Sequence, residues 1–306
     1  MSSTAGKARA IKIRTPMSTI VFNTVGGAVL LVLAVLCVMP FVLLISASFT
    51  SENSIVWDGY RFIPGEFSTR AYEILLKSPQ VIINAYGVSI FITVVGTAAG
   101  LMITAFAAYA LSRQYFKYRS QFAFFFYFTT LFNGGMLSSY IFFVRYYNLK
   151  NTYFALILPT LIHVFFLLIM RTFMAAIPES ICESAKIDGA SEYMIFFRLI
   201  LPLSTASLAT VGLFLALDYW NNWYNAMLYI SKPDMYPLQY MLYNMMSAAD
   251  AIARLSQHNT EMRAVDAPTR SLRMAMTVVA TGPIILAYPF VQKYFVKGVT
   301  LGAVKG

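Results

Sequence analysis

Charged residues are sparse along this chain, and their positions divide it. Neutral runs occupy 15–51, 78–112, 120–144, 151–170 and 274–292, and a sixth, 199–231, is interrupted only by Asp218. A helix needs about 20 apolar residues to cross ~30 Å of hydrocarbon, because each residue rises ~1.5 Å. Continuous apolar runs exclude the alternating strands of a membrane barrel. The pattern therefore predicts an all-α membrane protein with six transmembrane helices, at 20–46, 83–111, 122–144, 153–174, 205–229 and 272–292. The chain reads as one domain over 1–306, with a tail at 1–19, polar loops at 47–81 and 230–271 on one side, and a polar segment at 178–204 on the other. A helix is expected near Leu238–Arg254 within the larger loop. The first apolar run is too long for a secretory leader and lacks a small-x-small cleavage site, so it reads as an uncleaved span.

The polar segment "ESAKIDGASEYMIFFRLILPLS", Glu183 to Ser204, stands out between two apolar runs. Pro178 suits a helix start, since a proline in the first turn loses no needed hydrogen bond. Gly189 can stop that helix in a left-handed conformation, and a second helix is expected from Ala190 to Leu201, before Pro202. Glu179, Glu183, Lys186 and Asp188 are placed on the polar side, with Ile187, Phe196, Phe197 and Ile200 on the other. On pattern alone this is either an amphipathic cap on the bundle or a docking site for a soluble partner.

The composition fits the spans: 58% hydrophobic and 12% charged, with a net charge of +10. With six spans both termini share a side, and that side holds 13 of the 23 Lys and Arg. Lys7, Arg9, Lys12 and Arg14 in the N-terminal tail, Arg113, Lys117 and Arg119 in 112–121, and Lys293, Lys297 and Lys305 at the end express the bias without any acid between them. The positive-inside rule puts both termini and 178–204 in the cytoplasm of a multi-pass bacterial inner-membrane protein. The basic balance then reports topology and anionic headgroups, and calls for the lipid bilayer but no nucleic acid as a partner. Cys37 and Cys182 lie in different environments and neither pair nor form a metal cluster.

Three features lie within the spans. Gly96, Gly100, Thr104 and Ala108 recur every four residues, a ridge that allows close approach of another helix. In "LDYWNNWYNAM", Asp218, Asn221, Asn222 and Asn225 fall at i, i+3, i+4 and i+7, and Trp220 and Trp223 flank that face. Polar groups at membrane depth usually face the bundle interior or a water-filled cavity. Amides and a carboxylate suit sugar hydroxyls, and aromatic faces suit sugar rings, so these six residues form a candidate substrate pathway. Interfacial anchoring and interhelical hydrogen bonding are the competing readings. This span supplies no cation for an acidic sugar; Arg145 and Lys150, at the outer end of the third span, are better placed as headgroup anchors. His163 is a second ionisable group at membrane depth, expected to bond a neighbouring helix.

The polar segment closely resembles the EAA loop of permease subunits of ATP-binding-cassette importers. Glu183, Ala185, Asp188, Gly189, Ala190, Ile200, Leu201 and Pro202 stand at the motif's positions, and Ser184 replaces its middle alanine. The resemblance extends through "GYRFIPGEFSTRAYEILL", "NGGMLSSYIFFVRYYNLKNT", "YPLQYMLYNMM" and "YPFVQKYFVKGVTLGAVKG", nearly the whole chain. These segments look like carbohydrate permeases of the MalG type, in the branch importing plant or algal oligosaccharides such as alginate. The resemblance implies a type I importer transmembrane domain with a cytoplasmic coupling helix-turn-helix between helices four and five. It implies a transport subunit with no ATPase site of its own, working with a second, different permease, two ATPase subunits that bind ATP and Mg²⁺, and a solute-binding protein that delivers an oligosaccharide. Glu183, Ala185, Asp188, Gly189 and Ala190 would engage the ATPase. The chain has no G-x-x-x-x-G-K phosphate loop, in keeping with that division of labour. Two rival classes are weaker. An ion-coupled secondary transporter would need inverted repeats and paired broken helices, and an intramembrane enzyme would need more than one Asp and a distant His.

Overall fold

The computed structural model describes residues 17–132, 134–258, 269–283 and 285. The N-terminal basic tail, the three C-terminal lysines and part of the sixth predicted span lie outside them. Every regular element among the described residues is helical, apart from one isolated bridge between Thr50 and Phe67.

The first span is α1 (Met17–Ser48), exposed along nearly its whole length and buried only at Ser46, Ala47 and Ser48. Such an all-round apolar helix is stable where hydrocarbon replaces water. Two short helices follow, α2 (Glu52–Asp58) and α3 (Arg70–Leu75), and then α4 (Pro79–Ser112), which organises the bundle. Gly96, Gly100, Thr104 and Ala108 are all buried on one face of α4, as their spacing predicts. A Cβ on Gly96 would lie 2.5 Å from the Tyr219 ring, and one on Gly100 would lie 2.9 Å from the Leu161 carbonyl oxygen. The ridge is a packing surface, because only small residues let these helices approach so closely.

The next three predicted spans are each interrupted. The third divides into α5 (Arg119–Leu131) and α6 (Gly135–Ile141), which runs into a wide turn at Phe142–Tyr146; Gly135 has φ +82°. The fourth divides into α7 (Tyr153–Ile157), continued by a tight turn through Pro159, and α8 (Val164–Ala175), with a bend of 54° between the halves. Proline supplies no N–H to the helix ladder, and the break falls just beyond it. After α9 (Glu179–Ile187), α10 (Glu192–Ile195) passes through a π turn at Phe196–Ile200 into α11 (Leu201–Leu203). Pro202 therefore does not end that helix before itself, contrary to the sequence reading. The wider i→i+5 turn accommodates the ring that would strain an α-helix. The chain then turns by 82° into α12 (Thr205–Trp220). The fifth span breaks at Asn221–Trp223 before α13 (Tyr224–Tyr229). The helix expected in the larger loop is α14 (Leu238–His258), somewhat longer than the sequence reading, and the last described helix, α15, covers 269–283.

Three buried clusters run along the bundle. One joins the C-terminal half of α4 to α8, the polar segment and the start of α12 through Leu111, Met170, Met174, Phe196 and Ile200. A middle cluster joins Ile92, Leu156, Tyr219 and Ala226. The third, at the far end, joins Leu75, Ala85, Trp220, Leu238 and Met276. At that end the Glu52 carboxylate accepts the Arg270 and Ser271 backbone N–H groups, each at 3.0 Å, and so caps the start of α15 with the negative charge its dipole favours.

Candidate functional site

The polar segment is built by ordinary termination chemistry. Helix α9 ends in a Schellman motif: Ala190 N–H donates to the Ala185 carbonyl at 2.9 Å and Gly189 N–H to the Lys186 carbonyl at 3.0 Å. Gly189 has φ +83°, a conformation that a Cβ disfavours, as the sequence reading required. Ser191 then caps α10 by accepting from Met194 N–H. Glu183, Asp188 and Gly189 are exposed, and the two carboxylates make no side-chain hydrogen bond or ion pair among the described residues. Ala185 and Ala190 pack partly against the core beneath. A concavity of about 300 Å³ opens beside them, lined in part by Asp188, Gly189, Met194 and Arg198. Two assignments are corrected: Ile187 is 86% exposed, and Cys182, at 1%, is the residue of α9 that turns inward. Phe197, assigned to the inner face, is also exposed, whereas Phe196 and Ile200 are buried.

What holds this segment was not evident from the sequence. Glu192 accepts from Tyr109 and Tyr115 hydroxyls, both at 2.7 Å, and pairs with Lys186 Nζ at 2.7 Å. Lys186 Nζ also sits 3.6 Å from the Tyr115 ring centroid, a cation–π contact. One carboxylate of α10 thus joins α9, the end of α4 and the loop beyond it. Burial works against the charged form of Glu192, but the hydrogen bonds from Lys186, Tyr109 and Tyr115 outweigh it and hold its pKa below the ordinary carboxylate value. Lys186 is held above its ordinary value, chiefly by the hydrogen bond to Glu192. Burial pushes the Tyr115 hydroxyl up, and the bond to Glu192 adds to it.

Arg113 completes the brace from below. The sequence reading counts it as a topological charge in a loop, yet it is 3% exposed. Its guanidinium donates to the Met174 carbonyl at 2.6 Å and the Cys182 sulfur at 3.2 Å, and its Nε to Ser112 Oγ at 3.0 Å. Arg171 adds a bond from Nε to the Leu111 carbonyl at 3.1 Å. The five-donor fork of arginine suits this bridging of α4, α8 and α9. Nothing in the local pattern of "ALSRQYFK" distinguishes a buried arginine from a headgroup anchor; only the packing does.

The four polar residues of the candidate pathway, Asp218, Asn221, Asn222 and Asn225, do not share one helical face. Because the helix breaks after Trp220, Asn221, Asn222 and Asn225 leave the line of Asp218. Asn222 is buried, donating from Nδ2 to the Leu156 carbonyl at 3.1 Å and accepting Asn225 N–H at 3.2 Å, so it caps the start of α13. Trp220 is buried against α4 and α15, its ring 6.4 Å from Tyr86 and its Nε1 donating to the Ala280 carbonyl. Asn225 is buried too. Asp218, Asn221 and Trp223 remain exposed. Asp218 Oδ2 lies 3.5 Å from His163 Nε2, at the break of the fourth span. That distance is longer than a hydrogen bond, and the buried Nε2 has no other partner. The two ionisable groups that seemed distant in the sequence thus face each other at two helix breaks. The absence of broken helices is no longer a ground against a secondary transporter. No group of three or more His, Cys, Asp or Glu gathers among the described residues, so the pair does not extend into a metal or carboxylate constellation.

Comparison with known proteins places this geometry. The chain is 39% identical over 291 residues, 95% of its length and all of the relative's, to the polygalacturonan/rhamnogalacturonan transport system permease protein YtcP of Bacillus subtilis (strain 168). It is 29% identical over 284 residues, 92% of the chain and 95% of the relative, to the trehalose/maltose transport system permease protein MalG of Thermococcus litoralis. Among solved structures, a chain of a bacterial ABC transporter involved in the import of the acidic polysaccharide alginate superposes with a TM-score of 0.75 at 27% identity, covering 92% of this chain and 99% of that one. No family model matches the chain.

Proposed function

The chain belongs to the ABC sugar-transport permeases, and from that premise we propose that it forms half of an oligosaccharide pathway driven by a separate ATPase. The substrate class we propose is an acidic oligosaccharide, of the polygalacturonan, rhamnogalacturonan or alginate kind. The observation that carries it is the 39% identity to a polygalacturonan/rhamnogalacturonan permease along that protein's whole length. In this reading the segment around Gly189 faces the cytoplasm together with both termini. A groove on the ATPase receives it, Glu183 and Asp188 accept hydrogen bonds there, and the Gly189 turn fixes the angle between α9 and α10. Ala185 and Ala190 back the turn. ATP and Mg²⁺ bind on two ATPase subunits, a second and different permease supplies the other half of the pathway, and a binding protein delivers sugar to the outer loops.

The brace supports this assignment of roles. A lever must move something, and Glu192, Lys186, Tyr109, Tyr115 and Arg113 tie the segment to α4 and α8 by charge-assisted hydrogen bonds, the strongest kind available to side chains. Asp218, Asn221 and Trp223 are the polar and aromatic groups left exposed at the other end of α12, where they would meet the passing sugar. The test is co-expression with the candidate partner permease, ATPase and binding protein, purification of the complex, and uptake of trigalacturonate into proteoliposomes. We expect uptake that requires ATP and the binding protein. Uptake by this chain alone, or uptake driven by an ion gradient without ATP, contradicts the proposal.

A further inference from the structure

We propose that the cleft between the α12–α13 break, α14 and α15 is a binding site for an uncharged sugar ring face, at the end of the bundle away from the coupling segment. The proposal rests on the sugar-permease reading and deepens it by naming a site and the chemistry it reads. The placement follows from α12, whose 16 residues begin directly after the polar segment and end at Trp220, a rise of about 24 Å. The cleft has a volume of about 350 Å³, within the ~300–1,000 Å³ of small-molecule sites.

Its lining has the composition of such a site. Trp223 and Tyr243 stack with ring centroids 4.8 Å apart at 25°, yet stay 39% and 42% exposed, so the pair is a wall of the cleft and not part of the core. Aromatic faces are negatively polarised and apolar, which suits the C–H face of a pyranose. Gln239 Nε2 donates to Asn221 Oδ1 at 3.4 Å, a long bond that orients the two amides. It leaves the Asn221 amino group and the Gln239 carbonyl oxygen without another partner among the described residues. One offers a donor and the other an acceptor, the two functions that a vicinal diol presents in return. On the α15 side, Thr277 and Thr281 hydroxyls donate to the Arg273 and Thr277 carbonyls and keep their lone pairs for a hydroxyl donor.

No charged residue lines the cleft. On α14 and α15 the nearest charges, Asp250 and Arg273, pair with each other, and Asp218 near the end of α12 is outside the lining, 3.5 Å from His163. The cleft therefore selects by ring face and hydroxyl pattern. Carboxylates of an acidic substrate would be read by the partner permease or the binding protein.

Cysteine protection in the assembled complex tests this. Thr277→Cys is introduced into the importer with its partner permease and ATPase subunits, reconstituted in nanodiscs. Maleimide labelling of residue 277 is followed by peptide mass with and without trigalacturonate, arabinotriose or maltotriose, and binding-protein-dependent uptake of the same sugars is measured in parallel. We expect the imported sugar to slow labelling by about tenfold, the equivalent of ~1.4 kcal/mol of occupancy. Adding Tyr243→Ala should abolish the protection, and Tyr243→Phe should retain it. A sugar that is imported but leaves labelling unchanged overturns the cleft and leaves the permease reading standing. An importer that moves only non-sugar solutes overturns both. Equal protection in the Tyr243→Ala and Tyr243→Phe proteins overturns the aromatic wall as the recognition element.

Discussion

The two ends of α12 are held by different chemistry. At the end beside Gly189, a carboxylate, a lysine, two tyrosines and a buried arginine tie four helices together, α4, α8, α9 and α10. At the other end, Asn222 and the Trp220 indole make single bonds to backbone carbonyls, and the helix itself breaks at Asn221–Trp223. The difference teaches where stiffness is wanted. A part that receives force from a partner must move as a unit, and charge-assisted bonds to several elements achieve that. In the proposed mechanism a part that opens a route must rearrange, and at the break the backbone ladder is interrupted and side-chain amides take its place. Helix α4 itself is continuous over 34 residues, while the next three spans are interrupted.

The contrast can be broken most severely at Arg113. Arg113→Ala removes the guanidinium that bridges the Met174 carbonyl and Cys182, and should cost about 1.5–3 kcal/mol, the range for a hydrogen bond to a charged group. A lower melting temperature and poorer recovery of the assembled complex would show it. Arg113→Lys should not restore either, since an ammonium cannot reproduce the fork. Gly189→Val comes next: a β-branched side chain at φ +83° costs about 1–2 kcal/mol or reshapes the turn. We expect an inserted, assembled permease whose sugar-stimulated ATPase falls about tenfold, since ~1.4 kcal/mol in docking is enough for that. Full stimulated activity from this variant would show that the turn is not part of the transmission.

Asn222→Ala sharpens the other side. Because Asn222 bonds the Leu156 carbonyl and caps α13, its loss should lower stability by about 1 kcal/mol while leaving the half-saturating sugar concentration unchanged. A large change in that concentration with stability intact would return Asn222 to the pathway. The smallest effect expected is the pH dependence of the brace. Glu192 has a depressed folded pKa, so its contribution is present above its ordinary 4.5 and is lost as pH falls through the lower folded value. Lys186 has a raised folded pKa, so its contribution is full below 10.5 and is lost as pH rises through the higher folded value. Between these limits Glu192→Gln should lower the melting temperature slightly, since a partly exposed pair is worth below about 1 kcal/mol. The difference from the unsubstituted protein should shrink toward either extreme.

Local rules explain which features were legible in the sequence. The turn at Gly189, the packing ridge at Gly96 to Ala108 and the helix from Leu238 each follow from neighbours a few residues apart, and each is present in the structure. The shared face of Asp218, Asn221, Asn222 and Asn225 assumed an unbroken helix. Periodicity does not announce a break made by an asparagine side chain competing for backbone bonds. The contacts of Glu192 with Tyr109 and of Asp218 with His163 join residues far apart in the chain, so no window of sequence contains both partners.

The central claim is that the segment around Gly189 is a cytoplasmic lever pressed by a partner ATPase. The most direct test is a cysteine at exposed Ser184, probed with a membrane-impermeant maleimide in intact cells and in inverted vesicles. The account predicts labelling in inverted vesicles stripped of the ATPase subunits, protection when those subunits are restored, and no labelling in intact cells. Labelling from outside intact cells, or no protection by the ATPase, would contradict it.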